Sequence, residues 1–233
     1  MSVAVGTTTA QTPLQANFGG LKSHVAAYVQ GQNLASVLAD AGAALNAAAD
    51  KINTRNWNWL NKASAITLAA DTKSYTIPAN FKSPRSLIRR DTNAKQVGLY
   101  IYQIPKEFVN TAWDDTNSGQ PTHYTIRNAP DDRLLNFNLP PSSAFATSWP
   151  TALLIYHSRM GHFANDGDTL GTLEVPSELR NFLVWYARWE IASIRGSATQ
   201  IRTAEKAWRT EWNSLMMDDN NEQTDFGAGV LYR

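Results

Sequence analysis

Cysteine is absent from the 233 residues. Its absence excludes disulfide bonds, thiolate metal sites and cysteine nucleophiles. Charge is scarce as well, because Asp, Glu, Lys and Arg make up 18% of the chain, against about 25% in an ordinary globular domain. The formal net charge is +1, so bulk charge gives no reason to expect nucleic-acid binding. A weakly charged surface suits a protein that buries much of that surface in a stable assembly.

Long apolar runs are also missing. None approaches the ~20 residues that a transmembrane helix needs, so we expect no membrane-spanning segment and no membrane partner. The stretch from Met1 to Ala16 has neither a basic start nor a continuous apolar core, and it does not predict a signal peptide. Apolar residues nevertheless make up 43% of the chain, and eight are tryptophan. Most of these tryptophans should lie in cores or interfaces.

No constellation of residues predicts catalysis. The chain has no GxSxG, no phosphate-binding GxxxxGK[ST] and no GxGxxG. Four residues offer the best case for a metal site, although their spacing fits a polar loop better: His157, His162, Asp166 and Asp168. The paired carboxylates Asp114–Asp115 and Asp131–Asp132 lie beside Asn, Gly or Pro, where Asp caps turns. We therefore predict a protein that is not an enzyme, with no catalytic residue, cofactor or metal.

Three helices are indicated by apolar periodicity. In Asn33–Asn53 an apolar seam recurs every three or four residues, with Asn33 as a candidate N-cap: Leu34, Leu38, Ala41, Leu45, Ala48 and Ile52. A second helix begins at Pro176 or Ser177, ends near Arg195 and is followed by Gly196. A third runs from Thr199 to Met217. The last two should form a helical hairpin.

Between the first helix and this hairpin, the pattern alternates in short runs punctuated by proline. Ser64–Leu68 and Tyr75–Ile77 read as a hairpin. Further strands are indicated by five runs: Ser86–Arg90, Leu99–Ile104, Thr122–Arg127, Leu134–Leu139 and Thr151–Ser158. A helical turn is indicated at Pro105–Thr111. The predicted fold class is α+β, mainly α: a helical bundle, made of one long N-terminal helix and a C-terminal helical hairpin, with an inserted antiparallel β-region.

The domain organisation follows from these elements. We predict an extended N-terminal arm at residues 1–32 with room for one short helix, a helical body from 33–62 and 174–217, a β-rich insert at 63–173, and a C-terminal docking tail at 218–233. The tail is acidic and ends in apolar residues that could anchor an interface. Its predicted partner-binding residues are Asp225, Phe226, Val230, Leu231 and Tyr232. The alternative is an acidic tail that stays in solvent.

Two further groups invite a functional interpretation. The basic cluster Lys82, Arg85, Arg89 and Arg90 could contact phosphate, but a solvated strand face is favoured, with Arg85 and Arg89 on one side and Arg90 on the other. The tryptophans Trp185, Trp189, Trp208 and Trp212 should pack between the last two helices. The alternative places some of them at an intersubunit surface.

The order of several phrases resembles a known family. They are Tyr75-Thr76-Ile77-Pro78-Ala79-Asn80-Phe81, Gly119-Gln120-Pro121-Thr122-His123-Tyr124-Thr125-Ile126, Leu139-Pro140-Pro141, Leu153-Leu154-Ile155-Tyr156 and Val175-Pro176. Together, across Asn33 to Met217, they resemble the head-to-tail adaptors of short-tailed bacteriophages, the tail-accessory or tail-tubular type A group. Asn80 stands where these adaptors usually have an acidic residue.

The resemblance implies a structural virion protein at the head–tail junction, assembled in the bacterial cytoplasm. Such adaptors form a ring, commonly dodecameric, beneath the portal protein, and they join it to the tail nozzle or tail-tube protein. The ring extends the channel for double-stranded DNA without binding it specifically, and a C-terminal segment often contacts the portal. Two alternatives remain at this stage: a receptor- or carbohydrate-binding module that uses Trp113 or Trp149, and a cell-wall hydrolase.

Overall fold

The computed structural model describes residues 17–31, 33–93, 96–103, 117–129, 132–171, 173 and 176–228. The chain divides into two compact units. Unit 1 comprises Met1–Arg55 and Met160–Arg233, and unit 2 comprises Asn56–Arg159. The chain therefore leaves unit 1 after Arg55, forms all of unit 2, and returns at Met160.

The elements are, in chain order, α1 (Phe18–Ala27), α2 (Ala35–Asn53), a 3₁₀ turn (Asn58–Leu60), β1 (Asn61–Thr67), β2 (Ser74–Thr76), β3 (Phe81–Arg90), β4 (Gln96–Gln103), β5 (His123–Ala129), β6 (Asp132–Phe137), α3 (Ser143–Ser148), β7 (Thr151–Ser158), α4 (Leu179–Arg195) and α5 (Ala198–Ala228). In their described parts, unit 1 holds α1, α2, α4 and α5, while unit 2 holds α3 and all seven strands.

Helix α2 confirms the helix predicted over Asn33–Asn53. Four of the six predicted seam residues are fully buried, as a 3.6-residue period requires: Ala41, Leu45, Ala48 and Ile52. Leu38 is only half-buried, and Leu34, at the cap position, is 57% exposed. The predicted N-cap is wrong, because the cap position is Leu34 and no side chain caps the helix there. By contrast α1, which lies within the predicted N-terminal arm, is capped: the Asn17 side chain accepts a hydrogen bond from the Gly20 amide at 2.9 Å.

Helices α4 and α5 form the predicted hairpin around Gly196 and Ser197. The Ser197 hydroxyl accepts from the Gln200 amide at 3.3 Å, and Gln200 Oε1 accepts from the Ser197 amide at 2.8 Å. This reciprocal arrangement is a capping box, and it starts α5 sharply. The helix does not end at Met217 as predicted. It continues to Ala228, and the reason, described below, is a buried carboxylate in its last third.

Unit 2 is built on a seven-stranded sheet with the order β1-β7-β3-β4-β5-β6-β2. All neighbouring pairs are antiparallel except β4 and β5, which are parallel. The sheet encloses its own apolar core, whose largest members are aromatic: Tyr75, Phe81, Tyr124, Phe137, Phe145 and Tyr156. Burial raises the pKa of Tyr124 to about 12.

The predicted fold class, a mainly helical bundle with an inserted antiparallel β-region, is therefore wrong. Unit 2 is a mixed, nearly closed, barrel-like sheet with a core of its own. The expectation fails because the short strands join one sheet through pairings between distant segments, which no local pattern shows. The first half of β3, Lys82–Arg85, is polar, includes Pro84 and lies outside the predicted strand Ser86–Arg90. Irregular pairing with β7 between Phe81 and Ser83, and again between Pro84 and Ser86, accommodates this segment.

The strand pairing also departs from expectation. The hairpin predicted from Ser64–Leu68 and Tyr75–Ile77 is wrong, since β1 pairs with β7 and β2 pairs with β6. The five other predicted runs do contain strands, in β3 to β7. The helical turn predicted at Pro105–Thr111 lies outside the described residues.

Candidate interaction surfaces

The segment Met160–Phe163, where the chain re-enters unit 1, is held on α2 by two asparagines. Asn46 Nδ2 donates to the Phe163 carbonyl at 3.1 Å, and Asn46 Oδ1 accepts from the Phe163 amide at 2.9 Å. Two helical turns along α2, Asn53 bonds Met160 in the same way. Between them, His162 Nε2 lies 2.8 Å from Asp50 Oδ1. One face of α2 therefore binds the backbone of this segment.

The loop that follows, around Asp166 and Asp168, binds the first backbone amides of α1. The Phe18 amide donates to the Asp168 carbonyl at 2.7 Å, and the Gly19 amide donates to the Asp166 carbonyl at 3.0 Å. The Asp166 carboxylate pairs with Lys22. Asp168 Oδ2 accepts from the amides of Asn165 and Ala164, and these hydrogen bonds, Asn165 first, lower the pKa of Asp168.

This arrangement gives the candidate metal ligands separate partners. His162 bonds Asp50, Asp166 pairs with Lys22, and Asp168 bonds backbone amides, while His157 Nδ1 lies 3.3 Å from the Trp57 carbonyl oxygen within unit 2. Among the described residues, no three His, Asp or Glu side chains are placed to hold a metal ion. The structure thus gives each of these residues a local bonding role.

A cation lies between α1 and α4 without an acidic partner in the described part of the chain. The Arg188 guanidinium carbon is 4.6 Å from the centre of the Trp185 ring and 5.2 Å from that of Tyr28. Arg188 Nη2 lies 2.6 Å from His24 Nε2. Since guanidinium only donates, His24 must accept through an unprotonated Nε2. Burial, and then the charge of Arg188, lower the pKa of His24.

The tryptophans predicted to pack between the last two helices divide into two groups. Trp189 and Trp208 meet at 5.7 Å, and Trp212 packs on Phe182 at 5.1 Å. Both groups confirm packing between α4 and α5, with Tyr186 bridging Trp189 and Trp208 at 5.3 Å from each ring. Trp185 departs from the prediction, because it lies against Tyr28 and Arg188 instead.

The predicted docking tail begins inside α5 and is partly anchored. Asp219 is buried, 1% exposed, and its Oδ2 lies 3.4 Å from Arg55 Nη2, which also donates to Asn220 Oδ1 at 2.9 Å. These contacts hold α5 against the end of α2 and explain why the helix passes Met217. Of the predicted partner-binding residues, Asp225 and Phe226 have helical backbone. Val230, Leu231 and Tyr232 lie outside the described residues.

The basic cluster of β3 is not a uniform solvated face. Arg89 is 4% exposed, whereas Arg85 is exposed, so the prediction that the two share one solvated face is wrong. The irregular pairing near Pro84 separates their environments. Burial, and then the charge of Arg159, lower the pKa of Lys82.

The two tryptophans of the alternative carbohydrate-binding interpretation are Trp113 and Trp149. The Arg89 guanidinium lies 5.0 Å from the ring centre of Trp149, and Trp113 lies outside the described residues.

Comparison with known families identifies the family of the chain. The family model of the SU10 adaptor protein matches residues 16–230, which takes in most of both units. The chain belongs to the SU10 adaptor protein family. A comparison with curated proteins finds no match. The predicted resemblance to bacteriophage adaptors is confirmed, and the protein is a structural component of the virion that acts with portal and tail proteins in general.

Four of the five phrases that carried the resemblance meet in pairs within unit 2, whereas Val175-Pro176 belongs to unit 1. The Tyr156 hydroxyl donates to Asn80 Oδ1 at 3.0 Å, and the Tyr156 and Phe81 rings lie 5.6 Å apart. The second pair is the phrase that begins at Gly119 and the phrase Leu139-Pro140-Pro141. The Gly119 amide donates to the Pro140 carbonyl at 2.8 Å. Because these contacts lie within unit 2, we interpret the adaptor phrases as the residues that hold its sheet together.

The helices of the adaptor carry no sign of a membrane span. None of those described above combines the length and the apolar character that crossing a bilayer requires.

Proposed function

We propose that this adaptor assembles as a ring, of twelve copies by the resemblance, beneath the portal. The ring extends the DNA channel and joins the portal to the tail nozzle or tail-tube protein. The single observation that carries the proposal is the family match over residues 16–230. The low charge content supports it, because a subunit with 18% charged residues can bury large surfaces between copies at a smaller desolvation cost.

The portal-contacting element that we propose is the C-terminal segment, with Asp225, Phe226, Val230, Leu231 and Tyr232 as its contact residues. The length of α5 supports this assignment. Its 31 residues span about 46 Å, while the 17 residues of α4 span about 25 Å, at 1.5 Å per residue. Trp212 already packs near the start of α4, on Phe182, so the last turns of α5 extend beyond its antiparallel partner.

The channel surface should lack strong attraction for DNA, since phosphate contacts would retard passage. We propose that double-stranded DNA passes through the ring without specific binding and that the ring assembles in the host cytoplasm.

A truncation tests the portal contact. The chain should end after Asn220 and not after Met217, because Asp219 is buried against Arg55. We expect this truncation to keep the melting temperature within about 2 °C and to abolish binding to purified portal rings, measured by native mass spectrometry. The full chain with Phe226, Leu231 and Tyr232 changed to Ala should lose most of the binding, whereas a matched Asn213→Ala variant should bind normally. Unchanged portal binding by the truncated chain would refute the contact assignment.

A further inference from the structure

Arg89 in β3 is a buried cation without a counter-charge among the described residues. Its side chain is 4% exposed, and its guanidinium carbon lies 5.4 Å from the Phe145 ring centre and 5.0 Å from that of Trp149. The Nε atom is fully buried and has no hydrogen-bond partner. Neither terminal nitrogen makes a hydrogen bond in the described part of the chain, and neither is among the buried unpaired atoms. The terminal nitrogens therefore keep a small accessible edge.

This arrangement costs free energy in the isolated chain. Aromatic faces attract a cation, but they do not replace the hydrogen bonds and negative charge that water or a carboxylate supplies. Burial lowers the pKa of Arg89 accordingly. An apolar side chain of similar length would fit the same place without this cost, so the position makes physical sense if a carboxylate reaches the accessible edge from outside the chain.

The charge of the two units points to a second copy as the source of that carboxylate. Unit 2 contains eleven Lys and Arg against seven Asp and Glu, a formal charge of +4, while unit 1 contains ten against thirteen, a formal charge of −3. A contact between unit 2 of one copy and unit 1 of the next is therefore electrostatically complementary. A head-to-tail contact of this kind joins two different surfaces, as closed rings require.

Unit 1 presents suitable carboxylates at one end of the α4–α5 hairpin. The packing of Phe182 on Trp212 places the start of α4 beside the segment of α5 that follows Trp212. Three exposed residues lie at this end: Glu178, Met217 and Asp218. We call them the acidic end. Neither carboxylate has an ionic partner among the described residues, in contrast to Asp219 beside Asp218, and Met217 is 66% exposed.

We propose that Arg89 of one copy binds a carboxylate of the acidic end of the neighbouring copy, Asp218 or Glu178, in the adaptor ring. The proposal rests on the proposed function in assuming that ring. A carboxylate meeting a guanidinium edge forms short, charge-assisted hydrogen bonds, two of them when the geometry is bidentate. Phe145 and Trp149 hold the guanidinium plane in place and exclude water, so the pair gives a directional contact between copies.

The first experiment separates stability from assembly. Arg89→Met should leave the melting temperature of the isolated chain unchanged or higher, because it removes an uncompensated buried charge. It should weaken ring formation on purified portal rings, read as copies bound per portal by native mass spectrometry, by about tenfold or more. Arg85→Met is the matched control on the same strand and should assemble normally. A drop of several degrees in melting temperature, or unchanged assembly, overturns the proposal.

The second experiment identifies the partner group. Arg89→Glu should fail to assemble alone. If Asp218 is the partner, Asp218→Arg should fail alone too, but a 1:1 mixture of the two chains should form rings, because every contact then joins opposite charges. Glu178→Arg replaces Asp218→Arg in a parallel mixture. Recovery in either mixture supports the pairing between copies. Recovery in neither overturns it, and if Arg89→Glu does not fold, the Arg89→Met result decides.

Two further outcomes keep the proposals distinguishable. If the unaltered chain does not bind portal rings at all, the proposed adaptor ring fails, and the Arg89 contact is then judged by sedimentation of the concentrated chain alone. Absence of self-association there overturns the contact too. Binding of a 30-base-pair duplex, measured by fluorescence anisotropy and lost in Arg89→Met, would make phosphate the ligand and would also overturn it.

Discussion

The side-chain amide of Asn53 forms both hydrogen bonds that an extended strand would offer to Met160: its Nδ2 donates to the carbonyl at 3.0 Å and its Oδ1 accepts from the amide at 2.8 Å. Asn46 repeats the arrangement with Phe163. Because the bonds go to backbone groups, they fix the position of the segment without depending on its side chains. They anchor the chain at the point where it comes back from unit 2.

The first prediction concerns this anchor. Asn46→Ala removes two hydrogen bonds and leaves the amide and carbonyl of Phe163 without these partners, so we expect a loss of about 1–3 kcal/mol in the free energy of unfolding. Thermal denaturation should show a decrease of a few degrees. Asn213→Ala, at an exposed position of α5, is the control and should change little. Equal melting temperatures for the two variants would contradict the anchoring role.

The second prediction is a pH dependence centred on His24. Its pKa is lowered in the folded protein by burial and by Arg188, so below the ordinary value of 6.5 the unfolded chain binds a proton that the folded chain resists. This contribution to stability is present above pH 6.5 and is lost as the pH falls towards the lower, folded-state value. His24→Gln keeps an acceptor for Arg188 and should flatten this part of the curve between pH 8 and pH 5, measured by urea denaturation. Parallel curves for both proteins would show that His24 is not responsible.

A third prediction distinguishes adjacent carboxylates on α5. Asp219→Ala should destabilise the isolated chain by about 1–3 kcal/mol, since it removes a buried partner of the partly exposed Arg55. Asp218→Ala, one residue earlier and exposed, should stay within about 0.5 kcal/mol. Circular dichroism during heating provides the comparison. A stable Asp219→Ala chain would mean that α5 is held past Met217 by other contacts.

The fourth prediction uses two glycines with different surroundings. A Cβ at Gly196 would lie 2.8 Å from backbone atoms of Ala192, so Gly196→Ala should shift the turn between α4 and α5 and lower the melting temperature by several degrees. Gly167 has nothing within 4 Å of that position, and Gly167→Ala should be neutral or slightly stabilising, because it restricts the unfolded chain. Similar melting temperatures for both variants would refute the close approach at Gly196.

The sequence predicted those elements in which the spacing of apolar residues matches the face that is buried in the folded chain. The Ala- and Leu-rich seam of α2 required a helix by its period alone, and the phrases around Tyr75 and Tyr156 carried the family. The end of α5 could not be predicted, because Asp218–Asn221 are poor helix formers, whereas the contacts of Arg55 with Asp219 and Asn220, which stabilise the helix there, come from a residue far away in the sequence. Asp219 is buried by a partner far away in the sequence, so the residues around it give no sign of that burial.

The same reason explains the residues that were missed. The alternation of Arg85 and Arg89 along one strand predicts a shared solvated face, and nothing near Arg89 in the sequence indicates that Phe145 and Trp149 cover it. Arg188 was not singled out at all. Asn46 and Asn53 did leave a signal, since two asparagines seven residues apart on an apolar helix share one face. That spacing predicts a polar contact, although not the segment that forms it.

The loop that binds the start of α1 has a consequence for synthesis on the ribosome. The backbone groups that receive the first amides of α1, at Asp166 and Asp168, emerge about 150 residues after Phe18, so at about 5–20 residues per second they become available roughly 8–30 s later. Unit 2 is continuous and complete before then. During this interval α1 can pack only on α2, and Phe18 lacks the Phe163 ring on which it stacks at 4.9 Å in the complete chain.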